Sequence, residues 1–158
     1  MFLRALAAFL ILPVVVAGLV PWWIGNSDPN RLNGSLVGVI PVAVGLVVLV
    51  WCVRNFYVVG RGTLAHWEPP KHLVTVGPHA YVRNPMYVAV LSVLVGWIIW
   101  TGSPWLVFYT LLVGIGFHLH VVLVEEPWLD RTFGAQWHAY AGNVRRWLPR
   151  QSPWHRDS

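Results

Sequence analysis

The sequence predicts an all-α membrane protein with four transmembrane helices, the last two forming a tight hairpin, followed by an amphipathic C-terminal helix. Hydrophobic residues make up 56% of the 158 residues and charged residues only 11%, whereas a soluble domain carries about 25% charged residues. The 11 tryptophans suit the two membrane interfaces. A chain this poor in charge cannot cover a water-facing surface, so a soluble globule, a disordered chain and a coiled coil are excluded.

The number of spans follows from three stretches without Asp, Glu, Lys or Arg: residues 5–27, 34–53 and 84–124. A helix needs about 20 apolar residues to cross a membrane, so the third stretch is long enough for two helices. Its middle, Thr101-Gly102-Ser103-Pro104, is a turn signal. The prediction is a single membrane domain with spans at about 5–24, 35–53, 85–100 and 105–124, a cytoplasmic loop 54–84 and a cytoplasmic tail 125–158.

The first span also has features of a secretory signal, because Arg4 precedes an apolar run that leads to Ala17-Gly18. The run is long for a signal, however, and Trp22-Trp23 supply an interfacial anchor after it. These features favour a retained helix.

The basic residues predict the orientation of the spans. All but one of the 11 Lys and Arg residues lie before span one, between spans two and three, or after span four; the exception is Arg31. By the positive-inside rule, both termini and the long loop face the cytoplasm, which in a bacterium means the inner membrane. Topology and anionic headgroups therefore account for the net charge of +5, and nucleic acid is not needed as a partner.

The tail carries the pattern of an amphipathic helix. Leu129, Phe133, Trp137 and Tyr140 recur at spacings of 4, 4 and 3, which places them on one helix face. We expect this helix to lie at the membrane interface, with Gly142 as its C-cap. It serves either as an anchor or as a lid over a pocket between the helices.

Two polar clusters flank the predicted hairpin. The first is the segment 77–87, G-P-H-A-Y-V-R-N-P-M-Y, directly before span three; the second is Glu125-Glu126-Pro127 after span four. The simplest interpretation of each cluster is structural. The first would be a turn that leads into a helix, with Pro85 at its first position, and the second would be ordinary helix capping. Glu125 follows His118 by seven residues, so both lie on one face if the helix continues.

The chemistry of these clusters suits S-adenosylmethionine. Arg83 offers a fork of donors for a carboxylate, a Glu suits an ammonium or sulfonium, and aromatic side chains suit adenine. Soluble-type methyltransferases are excluded because the chain has no G-x-G-x-x-G motif and no room for a Rossmann domain. Cys52 is the only cysteine, and no histidines have a recognisable ligand spacing, so no metal site is expected.

The two clusters carry a resemblance to a known family. Segment 77–87 resembles G-P-Y-x-Y-x-R-H-P-x-Y, and residues 125–150 resemble E-E-x-x-L-x-x-x-F-G-x-x-Y-x-x-Y followed by R-W-I/L-P-R. These motifs are typical of the membrane methyltransferases that include isoprenylcysteine carboxyl methyltransferases and phospholipid (phosphatidylethanolamine) N-methyltransferases. The resemblance covers about residues 45–150. Asn84 stands in place of the His of the carboxyl enzymes, and Trp137 and His79 each replace a tyrosine.

The resemblance implies S-adenosylmethionine as cofactor, S-adenosylhomocysteine as product and a lipophilic acceptor that enters from the bilayer. The acceptor is an isoprenylcysteine-type carboxylate, a phospholipid or a small hydrophobic amine. The implied catalytic residues are Arg83 and Glu125. The implied cofactor site lies between the last two spans under the tail and comprises His79, Tyr81, Arg83, Asn84, Pro85, Tyr87, His118, Glu125, Glu126 and Tyr140.

Two alternatives come from other classes of protein. A small scaffold or transporter subunit fits the size of the chain, but a transporter is expected to carry an ionisable residue at mid-membrane. The only candidates in the spans are His118 and His120, which lie near a span end. A sterol-reductase-like enzyme is the other alternative, because sterol reductases share a related C-terminal helical layout.

Reporter fusions test the predicted topology. Because the basic residues lie on one side, we expect cytoplasmic signals from reporters placed at the C-terminus and near Leu73. A reporter near Asn30 should give the opposite signal. An outward C-terminus would contradict the four-span count.

Overall fold

A computed structural model describes residues 13–59 and 72–155, and the regular structure of these residues is entirely helical. We number the α-helices α1 to α6 in chain order; 3₁₀ or π segments adjoin some of them. The helices are α1 (Val20–Ser27), α2 (Val39–Val58), α3 (Pro85–Thr101), α4 (Pro104–His120), α5 (Glu126–Phe133) and α6 (Ala135–Asn143). Two π-helical segments adjoin them, Val15–Leu19 before α1 and Val121–Glu125 after α4. Two 3₁₀ turns precede helices, Leu36–Gly38 before α2 and Gly77–Ala80 before α3.

Two helical stretches of the described chain are long and apolar enough to cross a membrane, namely Leu36–Asn55 and Pro104–Phe133. Few of their side chains are buried within the protein, so their apolar surfaces suit contact with lipid. Helix α3 is also apolar but shorter, and residues 5–12 of the first predicted span lie outside the described residues. The all-helical class is confirmed, whereas the four-span count stays a prediction.

The hairpin turn lies where the sequence predicts it. Helix α3 begins at Pro85 and ends at Thr101, and α4 begins at Pro104. Gly102 connects them with φ of +67°, a conformation that costs glycine little because it has no Cβ. A Cβ at Gly102 would also lie 2.7 Å from the carbonyl oxygen of Leu32. Glycine is therefore required at this turn.

The chain divides into two compact units. The first contains the described parts of Met1–Val47 together with Tyr87–Gly116, and the second contains those of Val48–Met86 and Phe117–Ser158. In the first unit, α2 and α3 approach each other through glycines. A Cβ on Gly38 would lie 2.4 Å from the carbonyl oxygen of Gly96, and one on Gly96 would lie 2.6 Å from that of Gly38. Backbones this close are typical of helix packing in membranes.

The loop after α1 caps the hairpin of the first unit. Asp28 is buried and accepts hydrogen bonds from the Ser103 hydroxyl and from the backbone N–H of Asn30. The backbone N–H groups of Leu32 and Ser35 donate to the last turn of α3, at Gly102 O (3.0 Å) and Ile99 O (2.9 Å). Carbonyls at a helix end lack partners within the helix, and this loop supplies them.

The π-helical segment before α1 is also held by side chains. Pro21 has no N–H to donate to the carbonyl of Ala17, and the Trp97 indole N–H donates to that carbonyl instead at 2.8 Å. The Tyr109 hydroxyl donates to the Val16 carbonyl at 2.9 Å. These two bonds connect the first described helix to α3 and α4 within the first unit.

The helical backbone does not end with the predicted span at residue 124, although the boundary of the span itself stays a prediction. It continues through the π turn Val121–Glu125 into α5, where the N–H of Glu126 donates to the carbonyl of Val121. Pro127 follows in the first turn of α5. Pro127 has no N–H to donate to the preceding turn, yet the helix continues past it directly after the π turn.

The tail is two helices instead of the single predicted one. Gly134, with φ of +47°, separates α5 from α6. The predicted cap at Gly142 is wrong, because α6 continues to Asn143 and ends where Val144 becomes extended. The four residues predicted to share one helix face are divided between these two helices. Trp137 and Tyr140 are buried in the core of the second unit, and Leu129 and Phe133 pack against them.

Substitution of Gly96 tests the close contact of α2 and α3. A Cβ there would lie 2.5 Å from Val42 and 2.6 Å from the Gly38 carbonyl oxygen, so Gly96→Ala should destabilise the protein by about 1–3 kcal/mol. Gly116→Ala is the control, because nothing lies within 4 Å of its added Cβ. Thermal unfolding in detergent measures both. Equal melting temperatures for the two variants would contradict the close packing.

Candidate active site

The segment before α3 begins with a glycine that no other residue can replace without strain. Gly77 has φ of +62°, and a Cβ on it would lie 2.0 Å from Nδ2 of Asn55. Asn55 is buried near the C-terminal end of α2, and its amide donates to the carbonyl of Val76 at 3.4 Å. The turn Gly77–Ala80 is thereby fixed against α2 within the second unit.

The C-terminal tail is hydrogen-bonded along this same segment. Three backbone bonds join the two: Arg83 N–H to Arg145 O at 2.9 Å, Arg150 N–H to Tyr81 O at 2.8 Å, and Trp154 N–H to Ala80 O at 2.9 Å. The Asn84 amide adds a bond to the carbonyl of Arg146 at 3.1 Å. Asn84 therefore holds the tail backbone in place beside the start of α3.

Three charged side chains from three segments meet in what we call the ion cluster: Arg83, Glu126 and Arg146. Arg146 donates two hydrogen bonds to the two carboxylate oxygens of Glu126, both at 2.8 Å. Nη1 of Arg83 lies 3.2 Å from Oε1 of the same carboxylate. Two guanidinium groups thus share one carboxylate, and the cluster carries an unbalanced positive charge.

Arg83 has donor capacity that the described residues do not use. Its side chain is 14% exposed, and its Nε is buried with no acceptor among the described residues. The guanidinium lies over the ring of Trp137, 5.5 Å from the centroid, which favours a cation. Burial lowers the pKa of Arg83, and the neighbouring Glu126 carboxylate opposes this change. An anion beside Arg83 would satisfy both the spare donor and the unbalanced charge.

His79 and Tyr140 are buried parts of the framework. The Tyr140 hydroxyl donates to the His79 carbonyl at 2.6 Å. Burial raises the pKa of Tyr140 and lowers the pKa of His79 to about 4. Both side chains are therefore neutral at pH 7, and neither is suited to act as a general base or acid there.

The two adjacent glutamates have different partners. Glu126 belongs to the ion cluster, whereas Oε1 of Glu125 lies 3.5 Å from Nε2 of His120. His120 lies five residues before Glu125, a spacing that the π turn Val121–Glu125 brings onto one side of the helix. His118 accepts a hydrogen bond at Nδ1 from the Trp147 indole at 3.2 Å.

The remaining predicted site residues are distributed over both units. Tyr81 and Pro85 lie in the second unit, Tyr81 half-buried beside the tail and Pro85 buried at the start of α3. Tyr87 belongs to the first unit. Sequence reasoning did not select Arg146 or Trp137 as site residues. The R-W-L-P-R motif that contains Arg146 was the available signal for it.

An open groove of about 170 Å³ lies in the same unit. Its lining residues come from the loop before the turn, from α6 and from the tail: Leu73, Thr75, Ala135, Gln136, Ala139 and Trp154. Ring contacts lead from this groove toward the ion cluster. Trp154 lies 5.5 Å from Tyr140, Tyr140 lies 5.9 Å from Trp137, and Arg83 lies over Trp137.

Comparison with known proteins identifies the family. The family model described as phospholipid methyltransferase matches residues 34–136, a range that includes the turn before α3, the hairpin and the glutamate pair. No curated protein and no solved structure matches the chain significantly. The family match confirms the resemblance drawn from the two motifs. Because it spans more than half of the 158 residues, the chain belongs to the phospholipid methyltransferase family, a family of membrane methyltransferases.

Proposed function

We propose that the protein is an integral-membrane methyltransferase that uses S-adenosylmethionine to methylate a lipophilic acceptor at the cytoplasmic face of a four-span membrane domain. The observation that carries this proposal is the ion cluster, in which Arg83 keeps a buried donor beside an unbalanced positive charge. The family and the apolar helices support the same function.

The residues of the site fit the charged groups of this cofactor. Arg83 and Arg146 offer planar donor forks for a carboxylate, and Glu126 lies between them as the acceptor for an ammonium. The aromatic side chains that lead to the groove, Trp137, Tyr140 and Trp154, offer surfaces for adenine stacking. The cofactor, when bound, supplies an electrophilic methyl group on a sulfonium.

The contribution of the protein to such a transfer is mainly orientation. Methyl transfer to a nucleophile requires an in-line approach, so fixed positions account for much of the acceleration. Arg83 meets this need because its backbone is bonded to Arg145 and its guanidinium is held by Glu126 and Trp137. The tail bonds then keep Arg146 in the same arrangement.

The acceptor approaches from the bilayer in this proposal. The described spans expose their apolar side chains, and the charged groups of the site come from segments at the ends of the helices. A lipophilic molecule with a polar head would therefore place its head beside these segments. An isoprenylcysteine-type carboxylate, a phospholipid headgroup and a hydrophobic amine are the acceptor classes that fit this arrangement.

Arg83→Lys tests the role of the guanidinium fork. Lysine keeps the charge but loses the paired donors, so we expect S-adenosylhomocysteine affinity and turnover to fall roughly 100-fold, equivalent to about 3 kcal/mol. Calorimetry on detergent-purified protein measures the affinity. Arg145→Lys is the matched control, because that side chain is exposed. Parent-like binding by Arg83→Lys would show that the site is elsewhere.

Glu126→Gln and Glu125→Gln distinguish the two carboxylates. Glu126→Gln removes the only carboxylate of the ion cluster and leaves two guanidiniums facing each other, so we expect S-adenosylhomocysteine binding to weaken about ten-fold or more. Glu125→Gln lies outside the cluster and should bind within a few-fold of the parent. Calorimetry and thermal unfolding of both variants separate a binding defect from a folding defect. Equal affinities would remove Glu126 from the proposed site.

A further inference from the structure

The glutamate pair is divided between two environments by the π turn at the end of α4. Adjacent residues of a helix point about 100° apart, so Glu125 and Glu126 cannot both enter the ion cluster easily. The π turn brings Glu125 to His120, five residues earlier in the chain. Single π turns in α-helices frequently occur at functional sites. The contact of His120 with Glu125 is therefore a candidate functional feature.

The exposure of this second pair differs from that of the ion cluster. The side chains of His120 and Glu125 are 41% and 34% exposed, whereas those of Arg83 and Glu126 are 14% and 17% exposed. A ligand from outside can therefore reach His120. The residue lies in the last turn of α4, about one helical turn before the predicted cytoplasmic end of the span at residue 124, near the level where the polar head of a lipophilic acceptor would lie.

We infer that His120 is the proton acceptor for an amine substrate and that Glu125 positions it, an assignment that rests on the proposed methyltransferase function. A protonated amine has no lone pair with which to attack a methyl group. An imidazole whose Nε2–H faces the carboxylate of Glu125 has Nδ1 available as a base. The Glu125 carboxylate holds the ring in this tautomer and stabilises the imidazolium that forms.

The step balances in atoms and charge. The ammonium of the acceptor gives one proton to Nδ1 of His120 and becomes a neutral amine. The freed lone pair forms the new N–C bond to the methyl group, and the electron pair of the breaking C–S bond returns to sulfur. The proton then leaves His120 to water at the membrane surface.

The neighbouring groups are less suited to this task. Glu126 already accepts N–H groups from Arg146 and lies against Arg83, so protonating it would remove the counter-charge of the ion cluster. His118 uses Nδ1 to accept the Trp147 indole N–H. His79 is buried. His120 therefore combines accessibility with a carboxylate partner.

A pair of amine probes tests this role on the full chain in detergent micelles with S-adenosylmethionine. Dodecylamine is protonated at pH 7, as the lysine side chain is, whereas 4-dodecylaniline is neutral at that pH. For His120→Gln we expect kcat/KM to fall about 100-fold with dodecylamine and only a few-fold with the aniline. Binding of S-adenosylhomocysteine should be unchanged. Glu125→Gln should show the same selectivity with a smaller loss.

The chain offers a matched control for this substitution. Nε2 of His138 lies 2.9 Å from Oδ1 of Asp130, and these two side chains are 70% and 49% exposed. His138→Gln breaks a similar pair elsewhere in the second unit and should leave both probes unaffected. His120→Ala with added imidazole is the second variant, and imidazole should restore turnover of dodecylamine.

Several outcomes would overturn the assignment of His120. They are an equal loss with both probes, no loss with either, and no rescue by imidazole. Methylation of a farnesylated N-acetylcysteine but of neither amine would also overturn it, while leaving the proposed function intact. If the parent protein neither binds S-adenosylhomocysteine nor methylates any probe, the proposed function itself is wrong.

Discussion

The shared carboxylate of Glu126 is the interaction on which the second unit depends. It joins Arg83, from the segment before α3, to Arg146, from the tail, two residues that are far apart in the sequence. Partly buried charges are costly without partners, so neither guanidinium is stable there unless α5 and the tail are in place. Backbone hydrogen bonds between residues 80–83 and the tail join the same two segments.

Different physical interactions stabilise the two units. In the first, Gly38 and Gly96 let two helix backbones touch, and apolar side chains face outward. Such packing is stable in lipid, where apolar burial gives no advantage and close contact does. In the second, aromatic and aliphatic side chains form a small core around Trp137 and Tyr140.

Sequence reasoning found the features that depend on local chemistry. Pro85 and Gly102 mark the ends of α3 because the backbone of each residue type has its own conformational preference, which does not depend on distant contacts. The π turn and the break at Gly134 were missed because helical periodicity assumes an unbroken 3.6-residue repeat. Arg146 was missed as a partner of Glu126 because a contact between residues 20 apart leaves no local pattern. The motifs contain Arg83 and Glu126, and the tertiary contacts show that Arg146 joins them.

The different partners of Glu125 and Glu126 bear on how a small active site can combine binding with proton transfer. A carboxylate that two guanidiniums share is poorly suited to accept a proton, because each protonation would remove the counter-charge that holds them together. A base must change its charge in every cycle, so it needs a partner that tolerates both states. His120 beside Glu125 meets that requirement, since a carboxylate can accept an N–H from the neutral imidazole and from the imidazolium alike. Adjacent helical residues already point about 100° apart, and the π turn adds the five-residue spacing that brings Glu125 to His120, so two consecutive residues can serve the two tasks.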